Sequence, residues 1–163
     1  MLSSAEKKQG MQYALQEAAK AAECGEVPIG AVIVDPEGTV IGRGYNRREQ
    51  DQDATQHAEI LAIRAANQTL KSWRLEDCSL FVTLEPCCMC AGAIINARIK
   101  TVYYGTPDPK AGAAGSVVNL FQLRALNHHP SLVPGLCREQ ASQLLKTFFQ
   151  MLRRQQKAVK RGK

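Results

Sequence analysis

Two short stretches, His57-Ala58-Glu59 and Pro86-Cys87-Cys88-Met89-Cys90, stand far apart along the chain yet carry parts of one site. Cys87 and Cys90 offer two thiolates from a single turn, and His57 offers an imidazole nitrogen, so together they can hold a tetrahedral zinc ion. The remaining position is open to water, which is how catalytic zinc differs from closed structural zinc. Glu59, just past His57, is placed to take a proton from that water without ligating. Each half has a plainer reading. A lone C-x-x-C is more often structural zinc or a redox pair, and a lone His at a helix start is usually an ordinary polar residue. A structural site of three cysteines and the histidine would enlist Cys88, but adjacent cysteines seldom reach one metal together with Cys90 without a contorted backbone. A structural site also has no use for an unligated carboxylate. Glu59 therefore favours the catalytic reading, and the chain must fold so that these two segments meet.

Local patterns indicate how. Ser3 with Glu6 makes a capping-box pattern, and Met11, Leu15, Ala18 and Ala22 follow at helical spacing up to Gly25. Ile29 to Val34 is apolar and β-branched, Asp35-Pro36-Glu37-Gly38 is a turn, and Thr39 to Tyr45 returns as the second strand of a hairpin. A polar loop from Asn46 to Asp53 leads into a helix from His57 to about Leu70. Leu80 to Leu84 reads as a strand, Glu85-Pro86 ends it, and a helix runs from about Cys87 to Ala97. Thr101 to Gly105 is a fourth strand, and Thr106 to Gly115 an exposed loop. A short helix is expected from Ser116 to about Ala125, a short fifth strand near Val133, and a last helix from about Arg138 that frays beyond about Lys157. This alternation predicts an α/β chain of three layers, α/β/α, with a central mixed five-stranded sheet flanked by helices. His57 and both cysteines then fall in the first turns of two helices, where free N–H groups and the helix dipole favour thiolate.

At 163 residues the chain is expected to form a single domain, 1–163, with a basic C-terminal helix from about 138 onward. No apolar run approaches the ~20 residues of a membrane span, and the N-terminus lacks a signal peptide's apolar centre. A cytoplasmic protein is therefore expected. Three of the six cysteines lie within four residues, a cluster suited to metal chemistry in a reducing compartment rather than to disulfides. Cys24, Cys78 and Cys137 read as small buried side chains. Charge is uneven: from Gln140 onward there are seven basic residues and no acidic ones, while the rest carries 14 basic against 15 acidic. The excess belongs to the C-terminus and points to a localised polyanion contact. There Lys146, Arg153, Lys157 and Lys160 form a stripe roughly opposite the packing face of Ala141, Leu144, Leu145, Phe148, Phe149 and Leu152, and phosphate contact is its expected role.

With these residues in view, the chain resembles the cytidine-deaminase superfamily, whose H-x-E and P-C-x-x-C signature it carries. Within it the likeness is to the bacterial adenosine deaminases that act on tRNA. It covers nearly the whole chain, from Val27-Pro28-Ile29-Gly30-Ala31 to Phe148-Phe149. More selective than the zinc signature are Thr83-Leu84-Glu85-Pro86-Cys87, Met89-Cys90-Ala91-Gly92-Ala93-Ile94, Asp108 to Ser116, and Asn127-His128. The resemblance implies a cytidine-deaminase-like fold and one zinc ion per chain on His57, Cys87 and Cys90. It implies Glu59 as the proton shuttle and inosine formed at the wobble position of a tRNA anticodon stem-loop. It also implies that the Ala58 N–H and the Asn46 side chain hold the base edge, with the Leu84 carbonyl near the departing amine. Asp108 and its loop are expected beside the ribose and backbone, and a symmetric homodimer is implied. Without the resemblance, Asn46 reads as a turn residue and the Asp108 loop as an ordinary Pro-Gly-rich turn. A deaminase of a free base or nucleoside, guanine or cytidine, would share the zinc and Glu59 but gain nothing from the cationic tail. A catalytically silent zinc-containing RNA-binding subunit would have no use for Glu59.

Overall fold

The computed structural model describes residues 1–163. Helix α1 (Ser4–Glu23) starts at the expected capping box: the Ser3 hydroxyl accepts the Glu6 N–H at 3.2 Å, and the Glu6 carboxylate accepts the Ser3 N–H at 2.7 Å. Strands β1 (Gly30–Val34) and β2 (Val40–Tyr45) form the hairpin. Helix α2 (Ala58–Leu70), strand β3 (Ser79–Leu84), helix α3 (Cys88–Asn96) and strand β4 (Thr101–Thr106) follow, then β5 (Ser131–Pro134) and helix α4 (Arg138–Arg161).

The five strands form one mixed sheet in the order β2-β1-β3-β4-β5. β1 runs antiparallel to both β2 and β3, so these two share a direction and end on the same edge of the sheet. β3, β4 and β5 are mutually parallel along the row. The helices that leave β2 and β3, α2 and α3, therefore begin at the same end. Topology alone thus brings the two motif segments together.

Alternation along the strands divides the core. Val32, Phe81 and Tyr103 face Met11 and Leu15 of α1 and Ala141 of α4. Ile33, Leu80, Val82 and Val102 face Ala62 and Ile63 of α2 and Ile94 of α3. A sheet covered on both sides needs strands that are apolar throughout, as Gly30–Val34 and Ser79–Leu84 very nearly are. The Phe81 and Tyr103 rings stack 4.6 Å apart across adjacent strands. Gly44 lets α2 lie directly on β2: a Cβ there would sit 2.4 Å from the Ala58 carbonyl oxygen. The first turn of α2 is thereby held against the sheet.

Three local expectations change. The helix expected from Ser116 to Ala125 is a single 3₁₀ turn, Leu120–Gln122. The N–H groups of Val117 and Val118 both turn back to the Gly112 carbonyl, at 3.0 and 3.4 Å, and the Asn119 side chain caps Phe121, so the segment folds onto the preceding loop. Helix α4 does not fray at Lys157 but continues to Arg161; apart from Val159 its last turns are good helix formers, with basic residues suited to the dipole at a C-terminus. Cys78 is buried as expected, whereas Cys24 is exposed and Cys137 half-buried. No helix is long and apolar enough to cross a membrane.

Candidate active site

His57 and Cys87 each stand at the N-cap of their helices, with extended backbones, and neither side chain caps its own helix. Both turn instead toward one another. His57 Nδ1 lies 3.6 Å from Cys87 Sγ and 3.5 Å from Cys90 Sγ, and the three ligand atoms all lie within 4.8 Å of one another. Tetrahedral zinc with Zn–N near ~2.05 Å and Zn–S near ~2.3 Å requires an N···S separation of about 3.6 Å. The donor set therefore fits that ion in both chemistry and spacing. Cys88 is exposed and takes no part in the cluster.

Among these side chains, the hydrogen bond from the Cys90 thiol, aided by His57 and the Cys90 N–H, outweighs burial and holds the Cys87 thiol down at about 3. Cys90 is pushed up because it donates to Cys87 and is buried. Its bond to Cys87 raises His57, against the effect of burial. Glu59 is 4 % exposed, and burial lifts its carboxyl to about 7 despite the opposing pull of its own backbone N–H and of His57. A carboxyl poised there can both take and return a proton near neutral pH.

His57, Cys87 and Glu59 line a cavity of about 420 Å³, and Cys90 is fully buried. Asn46, Arg48, Ala58, Leu84 and Asp108 all line it, so every residue expected at the base is present there. The Asn46 amide is already engaged, donating to the Val27 carbonyl at 3.3 Å and accepting the Arg48 N–H at 3.2 Å. It thus combines the turn role with a place on the wall. The loop that carries it is tied down by Glu26, a buried carboxylate that accepts the Gln50 N–H at 2.6 Å. Asp108 accepts the N–H groups of Lys110 and Ala111 at 3.0 and 3.2 Å, which turns the Pro107–Ala111 wall. Leu145 and Phe149 of α4 complete the rim, and Phe149 is left 40 % exposed.

Beside Phe149 lies a groove of about 530 Å³ lined by Lys110, Lys146, Arg153, Ser142 and Gln150. It shares Pro109, Lys110, Leu145 and Phe149 with the cavity. The structure thus brings two of the four cations of the stripe, Lys146 and Arg153, beside the site. Lys157 and Lys160 lie on the last exposed turns of α4 and line neither the cavity nor the groove. Sequence reasoning missed Arg48, Lys110 and the buried Glu85. Lys110 stands inside the loop motif, but nothing local to it shows that α4 passes alongside.

The profile of the MafB19-like deaminase family matches residues 5–153. The chain is 46% identical over 152 residues to the tRNA-specific adenosine deaminase of Bacillus subtilis, covering 93% of this chain and 94% of that one. It is 45% identical over 150 residues to the protein of the same name from Haemophilus influenzae, covering 92% and 87%. A solved tRNA:A34 deaminase, from a study of A-to-I editing at the wobble position of transfer RNA, superposes with a TM-score of 0.81 at 47% identity, covering 84% and 99%. Guanine deaminase from Bacillus subtilis superposes with a TM-score of 0.57 at 40% identity, covering 61% and 63%. The site and the family profile together define a deaminase of the cytidine-deaminase-like fold. The chain belongs to the MafB19-like deaminase family and, within it, to the tRNA-specific adenosine deaminases.

Proposed function

We propose that this protein deaminates adenosine to inosine at the wobble position of a tRNA anticodon, consuming water and releasing ammonia. The observation that carries the reading is that a cationic groove of Lys110, Lys146 and Arg153 adjoins the Glu59 cavity and shares four wall residues with it. A free base or nucleoside fills the cavity alone, whereas a nucleotide within RNA brings flanking phosphates that the groove suits.

His57 Nδ1, Cys87 Sγ and Cys90 Sγ would hold zinc, one per chain, which when bound lowers the pKa of water toward ~7. Glu59 takes a proton from the attacking water and delivers it to N1 of adenine, which makes C6 electrophilic. Once the water oxygen has bonded to C6, Glu59 carries that oxygen's remaining proton to the amine, the C6–N6 bond breaks, and the C6 carbonyl of inosine forms as ammonia leaves. Asn46 and the Ala58 N–H hold the base edge, and the Leu84 carbonyl faces the departing amine. Asp108 and its loop meet the ribose and backbone of the extruded nucleotide. Extrusion costs least in a single-stranded loop, and an anticodon loop meets that condition. Lys146 and Arg153 contact phosphates beside the target, and Lys157 and Lys160 reach phosphates further along the stem.

The 3₁₀ turn Leu120–Gln122 packs beside α3, and the exposed apolar residues Val117, Val118, Leu123 and Leu126 flank it. On α3, Gly92 has nothing within 4 Å of where its Cβ would stand. This face supports a symmetric homodimer. A tRNA substrate agrees with a cytoplasmic protein, and residues 1–163 act as one domain.

Ammonia release and inosine formation on an anticodon stem-loop, free adenosine and free guanine test the reading. The stem-loop alone should react. Guanine turnover with an unreactive stem-loop would instead give the protein the activity of the guanine deaminase relative.

A further inference from the structure

Glu85 directly follows β3, beside Pro86, and is 2 % exposed, with no cationic partner. Its Oε2 accepts the Asp108 N–H at 2.8 Å and the Ser116 hydroxyl. Its Oε1 accepts the N–H groups of Ala114 and Ser116, each at 3.0 Å. All these donors belong to the loop whose first part walls the cavity. The loop closes tightly on the carboxylate: a Cβ on Gly112 would stand 2.3 Å from both Glu85 Cδ and Oε2. A buried carboxylate is costly to leave without hydrogen bonds, and charge-assisted bonds of this kind are among the stronger ones.

A carboxylate has about four acceptor sites, and the loop engages four donors there. Glu85 therefore has no acceptor left for a substrate, although it lies at the edge of the cavity. We infer that Glu85 is a positioning residue of the deaminase: its carboxylate is the common acceptor that holds the Asp108 wall where an extruded base can enter. It acts through the Asp108 N–H and the chain turn from Pro107 to Ala111, not on the reacting atoms. This role rests on the deaminase reading above.

Glu85→Gln tests it, since an amide NH2 must then face N–H donors. Amide exchange at Asp108, Ala114 and Ser116 should accelerate while β3 and β4 stay protected. The kcat/KM for the stem-loop, normalised to bound zinc, should fall about 10- to 100-fold, as sub-ångström misplacement of a substrate wall does. Ser116→Ala alters an exposed side chain and removes one of the donors. Alone it should lower kcat/KM about threefold, in keeping with one lost bond. In the Glu85→Gln background it should add nothing, because both changes act on one anchor. A merely structural role would lower the melting temperature and the zinc-loaded fraction and leave kcat/KM per zinc unchanged in each single variant. That kinetic result overturns the proposal, as does a double variant whose loss in kcat/KM equals the product of the two single losses. Should Glu85→Gln not fold, unchanged kinetics in Ser116→Ala overturns it alone. A wild-type protein inactive on the stem-loop would refute the deaminase reading instead, while the exchange rates would still report whether Glu85 anchors the loop.

Discussion

Replacing Lys110, Lys146 and Arg153 together with Gln empties the groove of cations and leaves Glu59 and the His57–Cys87–Cys90 cluster in place. All three line one groove that adjoins the Glu59 cavity. Lys160 lies two helical turns beyond Arg153, roughly 10 Å further along α4 at 1.5 Å per residue. For single-stranded contacts, each neutralised phosphate contributes about −0.7 to the slope of log K against log salt. Three lost contacts flatten the slope by roughly 2, so a rise from 50 to 200 mM salt weakens the variant by about 20-fold less than the wild type. Fluorescence anisotropy with a labelled anticodon stem-loop across that range measures the slope, and KM should rise in step. The single-turnover rate at saturating RNA should hardly change. The parallel variant Lys157→Gln/Lys160→Gln should flatten the slope less than the groove variant does. An unchanged slope in the groove variant would refute phosphate binding there. Equal flattening from the two variants would show that the contacts are spread along α4 rather than gathered at the site.

Three further outcomes are expected. Glu59→Ala should keep about one zinc per chain by metal analysis yet lose at least ~10²-fold in single-turnover rate; loss of the metal as well would make Glu59 a ligand. Cys88→Ser should retain zinc and most activity, while Cys87→Ser or Cys90→Ser loses both, because only Cys87 and Cys90 face His57 Nδ1. Burial, with smaller contributions from Asp35 and Asp77, pushes the Cys78 thiol from 9.0 up to about 11. A raised thiol pKa makes the folded state hold its proton longer, so stability should fall as pH rises from about 9 through about 11, by up to roughly 3 kcal/mol. Urea unfolding at pH 8 and pH 10.5 checks this, since Cys78→Ala should lack that part of the slope.

Much of the site was legible because its chemistry is written at short range. The spacing of Cys87 and Cys90 is one helical turn, and Glu59 follows His57 closely enough to share its helix start. The capping box at Ser3 and Glu6 and the apolar strand runs are equally local, so most element types and a helix-covered sheet could be read from pattern. The chain likewise shows that its excess charge lies after Glu139. Other features depend on residues that meet only after folding. The sheet order, with β2 and β3 both antiparallel to β1, is what starts α2 and α3 at one edge. Nothing near His57 tells which ring nitrogen faces the sulfurs; the direction from which α3 approaches decides that it is Nδ1. Val117 and Val118 read as the start of a helix, yet their N–H groups had a nearer acceptor in the Gly112 carbonyl once the loop closed. Lys110 joins Lys146 and Arg153 only because α4 crosses back over that loop. Glu85 looks in sequence like the polar end of a strand. Its buried carboxylate acquires a purpose when a loop more than twenty residues later delivers its donors to it, since a charge can stay buried only where the fold supplies hydrogen bonds in place of water.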